Sequence, residues 1–344
     1  MQHPPTEAYL PGTVPVLSDR LLLTPYRDPL FDGATDPVLV ADPGTRSWLL
    51  FYTQRRAALA SLGGVEWVHE SEIGCARSYD GGETWAYEGV LDDVPTPGLH
   101  HPVTKWAPDV VRIGEHWVMF LTLLGGKRSD WSGNAVIAQY TSSDLKRWTF
   151  QAYVDLRSDR VIDAAVTLCG DGLYRLWYKD EQRGSRTFSA VTATPSDPRS
   201  WQVEGVAIDG RPHEGPKVFT LGGWFWLITD EWRGLAVYRS ADGAGGWERQ
   251  HRDNGLILTG PEEFEGRPVV ARHADVVVQG ASAAVVYFTH PAWSGSELAD
   301  MTSGTDHRRS HIRAAWFTVS PAGHLVPCWE SAAQQPHSFG KAGA

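Results

Sequence analysis

The sequence predicts an all-β chain, on three observations. No long stretch keeps the 3.6-residue apolar period of a helix. Apolar runs of strand length recur instead, at Trp48–Tyr52, Trp117–Thr122, Leu173–Tyr178, Trp224–Ile228 and Ala284–Phe288, with Gly, Asp and Ser clusters between them. The 344 residues include 35 Gly and 16 Trp against only 21% charged residues. That balance suits many tight turns joining strands that pack through aromatics.

The runs belong to a repeat. One element opens on an acidic or His residue, passes through Val-rich sequence, turns, and ends in an aromatic strand. Its copies open at Asp36-Pro37-Val38, Asp109-Val110-Val111, Asp163-Ala164-Ala165, Glu214-Gly215-Pro216 and His273-Ala274-Asp275. A second element follows each copy but the last, a strand entering a Ser/Asp turn closed by Trp. Its copies are Ser78–Trp85, Ser142–Trp148, Pro195–Trp201 and Ser240–Trp247. Asp in such a turn accepts bonds from backbone N–H groups, and the four Trp residues are expected to pack in the core. Two hairpins per unit make a four-stranded antiparallel sheet, and five units make a five-bladed β-propeller. The single propeller domain is expected over residues 1–330, with a loose tail over 331–344. The fifth unit runs on through Ile312–Val319 without an evident last strand, so Val16–Thr24 is expected to supply that strand and close the ring.

Composition excludes several functions. With 31 Lys+Arg and 41 Asp+Glu, the net charge of −10 argues against a nucleic-acid partner. No apolar run approaches the length of a membrane span. Met1–Leu10 has neither a basic nor an apolar leader region, which predicts a cytoplasmic protein. Cys75, Cys169 and Cys328 are widely spaced and odd in number, as expected of isolated thiols in a reducing compartment. The chain is compatible with a monomer or a homodimer.

In a propeller the first strand of each blade lines the axis. Asp36, Asp109, Asp163, Glu214 and His273 are therefore expected to converge at one mouth of the ring. Carboxylates do not gather for stability, because desolvation and mutual repulsion oppose it. A carboxylate-based active site is the leading reading, with solvated hairpin ends and a cation site as the alternatives.

The motifs that carry these residues are Thr35-Asp36-Pro37, Trp106-Ala107-Pro108-Asp109, Ile162-Asp163-Ala164 and Glu214-Gly215-Pro216. In that order, over residues 30–320, they resemble glycoside hydrolase family 43 and its arabinanase- and invertase-like relatives. The resemblance implies a glycosidase in which Asp36 is the general base, Glu214 the general acid, and Asp163 the residue that orients Glu214 and raises its pKa. A neighbouring carboxylate acts in that sense by like-charge repulsion. The family's third motif reads Asp-Pro where this chain has Asp163-Ala164. The Asn-Asp-Pro and Arg-Asp-Pro motifs of the retaining branch are absent, which favours inversion. A base–acid separation of about 6.5–9.5 Å would leave room for the attacking water.

Phe51–Arg56 and Arg272–Val276 also resemble glycoside hydrolase family 117, which implies His273 as the acid instead. In family 43 the equivalent His lies on the axis and often reaches a metal through water. No cofactor is required, but Ca2+ held by His273 on the axis is one expectation. The substrate expected is an oligosaccharide or glycoside whose terminal sugar is released by exo-action, with a non-catalytic carbohydrate-binding propeller as the alternative.

A sugar pocket needs aromatic platforms and polar partners. Trp106 beside Asp109, together with Trp232, Gln54, Arg55 and His273, are the substrate-binding candidates. Trp67, His69, His101, Trp131, His290 and Trp293 lie in loops where a rim would form. Lys179, Asp180, Glu181, Asp230 and Glu231 end second strands and either face the pocket or form salt bridges. Arg308 and Arg309 are candidate substrate cations. Ser78–Trp85 matches the Asp-box of sialidases, but five blade starts carrying acids rather than arginines do not fit that six-bladed fold.

Overall fold

Each repeat unit folds as one four-stranded antiparallel sheet, and its second strand explains why. Strand β2 (Ser47–Gln54) is buried at every position, and β10 (Tyr174–Asp180) and β14 (Trp224–Asp230) are nearly so. Such strands must be covered on both faces, so each blade packs between two others. The computed structural model describes residues 14–260, 263–264, 267–268, 270–293 and 304–328. The expected tail at 331–344 and the N-terminal Met1–Leu10 lie outside the described residues.

Blade 1 orders β1 (Ala34–Asp42), β2, β3 (Glu72–Ser78) and β4 (Ala86–Val90) from the axis outward. Blade 2 holds β5 (Val103–Ile113), β6 (His116–Gly125), β7 (Val136–Ser142) and β8 (Thr149–Tyr153). Blade 3 holds β9 (Val161–Leu168), β10, β11 (Arg186–Thr192) and β12 (Gln202–Ile208). Blade 4 holds β13 (Glu214–Leu221), β14, β15 (Leu235–Ser240) and β16 (Glu248–Arg249), with β17 (Leu256–Ile257) also on β15. A small hairpin, β18 (Glu263–Phe264) with β19 (Arg267–Pro268), precedes blade 5. Blade 5 holds β20 (Arg272–Gln279), β21 (Ser282–Thr289), β22 (His311–Val319) and β23 (Leu325–Pro327).

The inner strands touch in a closed cycle, β1–β5–β9–β13–β20–β1, which makes the five sheets a five-bladed propeller. Each seam has its own apolar cluster. Phe51 meets Trp148 between blades 1 and 2, Phe120 meets Trp201 between 2 and 3, and Trp177 meets Trp247 between 3 and 4. Trp226 and Phe317 share a cluster between blades 4 and 5. Of the turn Trps, Trp148 and Trp201 are buried, while Trp85 and Trp247 are half-buried and pack against their clusters. In the turns, Asp80 accepts the Thr84 N–H at 3.0 Å and Asp144 accepts those of Lys146 and Arg147 at 2.9 Å. Cys75, Cys169 and Cys328 are unpaired. No described helix is long and apolar enough to cross a membrane.

Closure differs from the expectation. Blade 5 supplies its own fourth strand, β23, and Val16–Thr24 is not a strand. The segment is instead a strap across the seam between blades 5 and 1. Its Ser18 and Leu22 N–H groups donate to Gly81 and Gly82 of blade 1, and the Leu17 N–H donates to Gln279 of blade 5. Leu17, Leu21 and Leu22 fill the cluster beneath. A strap suits this stretch because Pro15 and the turn at Asp19–Arg20 interrupt any strand pairing.

On the axis, Lys217 donates to Asp109 at 2.7 Å and to Asp275 at 2.8 Å. The other Asp109 oxygen accepts the Val166 N–H of blade 3, and the other Asp275 oxygen accepts the Leu39 N–H of blade 1, each at 2.8 Å. Burial pushes the Asp109 carboxyl up although Lys217 opposes it. Burial disfavours the Lys217 cation, but its two carboxylates outweigh that and raise its pKa. Replacing Lys217 with Met would leave two buried carboxylates unpaired, an expected loss of about 3–5 kcal/mol. Urea unfolding checks this, and a loss below about 1 kcal/mol would count the pair as an ordinary surface bridge.

Candidate active site

Every inner strand breaks its register at the same level. In blade 1 the pairs Thr35–Thr53 and Val38–Phe51 skip Asp36 and Pro37. In blade 2 the skipped residues are Ala107 and Pro108, in blade 3 Asp163 and Ala164, in blade 4 Gly215 and Pro216, and in blade 5 His273. The first skipped residue has positive φ in four blades: 49° at Asp36, 44° at Ala107, 58° at Asp163 and 58° at Gly215. For a non-glycine residue this costs on the order of 1–3 kcal/mol, and such strain concentrates at functional sites. A bulge also re-aims its side chain, here at the mouth of the axis.

The bulges bring Asp36, Asp163 and His273 together. His273 Nδ1 lies 3.8 Å from Asp36 Oδ1 and 3.9 Å from Asp163 Oδ2. Asp163 Oδ2 accepts the Gly215 N–H at 3.1 Å. A Cβ on Gly215 would stand 2.7 Å from His273 Cγ, so this bulge needs glycine for space as well as for φ. Thr35 Oγ1 donates to Asp36 Oδ2 at 3.0 Å, and Arg55 Nη2 reaches the same oxygen at 3.4 Å.

Glu214 precedes its bulge and joins the group from blade 4. Its Oε2 accepts from Lys179 Nζ at 3.0 Å, and its Oε1 accepts from Trp232 Nε1 at 2.9 Å. Lys179 also lies 5.3 Å from the Trp232 ring centre and pairs with Glu181 at 3.1 Å. Trp232 is 41% exposed, as an aromatic platform must be.

The electrostatics differ from the expected division. Burial disfavours ionised Glu214, but the Lys179 ammonium and the Trp232 N–H outweigh it and hold the carboxyl low. Burial raises Asp163 to about 6, with Glu214 adding to the rise and His273 opposing it. Asp230 accepts the N–H groups of Trp232 at 2.6 Å and His273 at 3.2 Å, and burial lifts it to about 7 against the pull of Arg272. The sequence suggested a Glu214 pushed up by Asp163. Because Lys179 sits on Glu214, Glu214 is held low, while Asp163 and Asp230 are pushed up by burial and by the Glu214 charge.

Three candidates lie apart from this group. Asp109 faces Lys217 in the axial ion triad, and the blade 2 bulge residue is Ala107, whose N–H donates to Thr53. Gln54 is buried and its amide is spent on Asp28 at 2.6 Å and Tyr87 at 2.9 Å. Trp106 is buried too, with its Nε1 donating to Val68 O, and it packs on His69. Exposed Trp131 covers that pair. His101 is exposed in the loop before β5. Trp67, His290 and Trp293 form a second aromatic group, while Asp180 accepts the N–H groups of Gln182 and Arg183 and Glu231 pairs with Arg233 and Arg249. Arg309 pairs with Asp32 and Asp306. The sequence marks Asp230 only as the end of a second strand and Arg272 only within the Arg272–Val276 stretch; the register adds that Arg272 precedes its bulge as Glu214 does.

The cation on the axis is the Lys217 ammonium, and among the described residues no group of three or more His, Cys, Asp or Glu side chains is placed to hold a metal.

The architecture is matched by solved structures of low sequence identity. A thermostable family-43 glycoside hydrolase aligns over 88% of this chain and 96% of its own, with TM-score 0.62 and 16% identity. An exo-1,5-alpha-L-arabinanase from a bovine ruminal metagenomic library gives TM-score 0.59 at 17% identity, over 88% of this chain and 98% of its own. An alpha-L-arabinofuranosidase from Lactobacillus brevis gives 0.63 at 16% identity, over 88% and 97%. The chain shares their fold. No family model and no curated protein sequence matches it.

The raised Asp163 sets a pH dependence. The native state keeps a proton that the unfolded chain releases near pH 4, so this group's contribution to stability falls as pH rises from about 4 to 6. Relative to wild type, Asp163→Asn should therefore gain on the order of 2 kcal/mol across that window. Urea unfolding at pH 4, 5, 6 and 7 reads this directly, and a gap that does not change with pH would contradict the assignment.

Proposed function

We propose that the protein is a glycoside hydrolase, exo-acting and inverting, that releases a terminal sugar of the arabinose, xylose or galactose type from an oligosaccharide. The observation that carries the reading is the meeting of Asp36, Asp163, Glu214 and His273 from four blades, two of them on strained bulges. The shared fold with family-43 structures supports it.

In this reading Asp36 takes a proton from water as the water oxygen bonds to the anomeric carbon. Glu214 gives a proton to the leaving oxygen as the glycosidic bond breaks. Positive charge spreads over the ring in between, and the buried carboxylates stabilise it. Glu214 must first gain its proton. A sugar stacked on Trp232 would compete with Lys179 for that ring, and losing Lys179 leaves Glu214 beside Asp163 and Asp230, which favour protonation.

The Lys179–Glu214 ion pair also favours a second reading, in which His273 is the acid and Glu214 stays ionised. His273 lies between Asp36 and Asp163, with its Nδ1 3.8 and 3.9 Å from their carboxyl oxygens.

Asp36→Asn is expected to lower hydrolysis about 10²–10⁴-fold on any substrate. Comparing Glu214→Gln with His273→Ala on alkyl and 4-nitrophenyl glycosides finds the acid, because its variant loses far less on the good leaving group. The anomer first seen by NMR tests inversion. Unchanged turnover in Asp36→Asn would end its role as the base, and binding of oligosaccharides by the wild-type chain with no turnover would leave a carbohydrate-binding propeller.

A further inference from the structure

The two sides of the mouth balance their charges differently. Beside blades 3 and 4 the cations are paired. Lys179 pairs with Glu214 and Glu181, Arg160 with Glu181, and Arg233 and Arg249 with Glu231. Beside blades 5 and 1 three arginines are held more loosely. Among the described residues Arg55 reaches one carboxylate, Asp36 at 3.4 Å, and Arg272 reaches one, Asp230 at 3.9 Å. Arg308 is 7% exposed and has no carboxylate partner among the described residues.

These three arginines surround one aromatic group. Arg55 lies 5.6 Å from the Phe288 ring centre, and Phe288 packs edge-on against His290 at 5.4 Å. His290 packs edge-on against Trp67 at 6.3 Å, and Arg308 lies 6.0 Å from the Trp67 ring centre. His290 is pushed down to about 3, by burial first and then by Arg55 and Arg272, so it adds no charge of its own and marks the field of both arginines. Arg55 Nε, Arg272 Nη1 and Arg308 Nε are buried without a hydrogen-bond partner. Buried donors are nearly always paired, and an unpaired guanidinium N–H is costly. Among the described residues these three donors have no acceptor at hydrogen-bond distance, and a planar oxyanion suits the guanidinium fork.

We propose that Arg55, Arg272 and Arg308 form an oxyanion subsite beside Asp36, so that the terminal sugar recognised carries a negative group, a uronate carboxylate or a sulfate ester. This rests on the carbohydrate reading of the site but not on turnover. It also narrows the substrate class from neutral pentoses and hexoses to acidic sugars.

The test is calorimetric titration of the full chain with galacturonate, galactose 6-sulfate and galactose. The expected result is that one or both anionic sugars bind at least about tenfold more tightly than galactose. Arg308→Met should remove that preference and Arg308→Lys should keep part of it, with melting curves confirming that both are folded. Arg272→Gln should also weaken the preference if Arg308→Met proves unfolded. The two anionic arms tell carboxylate from sulfate. Equal binding of neutral and anionic sugars, no binding of either anionic sugar, or a preference unchanged in the folded variants would overturn the proposal. Hydrolysis is read in parallel on 4-nitrophenyl galacturonide and galactoside. Turnover of the neutral glycoside without any anion preference removes the subsite and leaves the hydrolase. Tight anion binding with no turnover does the reverse.

Discussion

One buried ammonium organises the ring. Lys217 of blade 4 holds Asp109 of blade 2 and Asp275 of blade 5, and their second oxygens hold backbone N–H groups of blades 3 and 1. All five inner strands therefore meet through a single ion triad. Blade packing alone is apolar and weakly directional, since one aromatic seam resembles the next. The triad is directional. Each carboxylate has two acceptor sides, and both are used across strands, so the strands cannot slide along the axis without unpairing a buried charge.

That fixed level explains how the site above it can be strained. Asp36 and Asp163 each stand in the left-handed region three residues before the strand position tied by the triad, Leu39 and Val166. An isolated hairpin would relax such a bulge. Here the residues after it are held on the axis and the residues before it are paired to the second strand, so the bulge persists and points its carboxylate at the mouth. The same device in blade 4 uses Gly215, because the His273 ring occupies the space a side chain would need.

Much of this was legible in the sequence. The repeat gave five blades, the Ser/Asp turns gave the outer hairpins, and the blade openings gave four of the residues that meet. The misreadings have a common cause. Asp109 and Asp36 both open a Val-rich strand, but Asp109 comes after its bulge and Asp36 lies within one, and that shift moves a side chain from the mouth to the axis. Periodicity does not show a two-residue bulge. Gln54 ends a second strand as Lys179 nearly does, yet one turns to a buried Asp28 and the other to Glu214, a choice set by contacts distant in sequence. Lys179 itself decides where the proton rests, and no motif contains it. The closing strand was misplaced because β23 has only three residues, too short for an apolar pattern to show.

The strap across the last seam has a kinetic consequence. Each blade is assembled from neighbours in sequence, so blades can form early from local contacts. The seam between blades 5 and 1 joins residues some 250 positions apart, as in the bond from Leu17 to Gln279, and its closure entropy is the largest in the molecule. Ring closure is thus the step expected to come late in folding, with the strap as the latch that completes it. Opening of that latch, rather than fraying of a blade, is then the first excursion from the native state, and hydrogen exchange at the N–H groups of Leu17, Ser18 and Leu22 would report it.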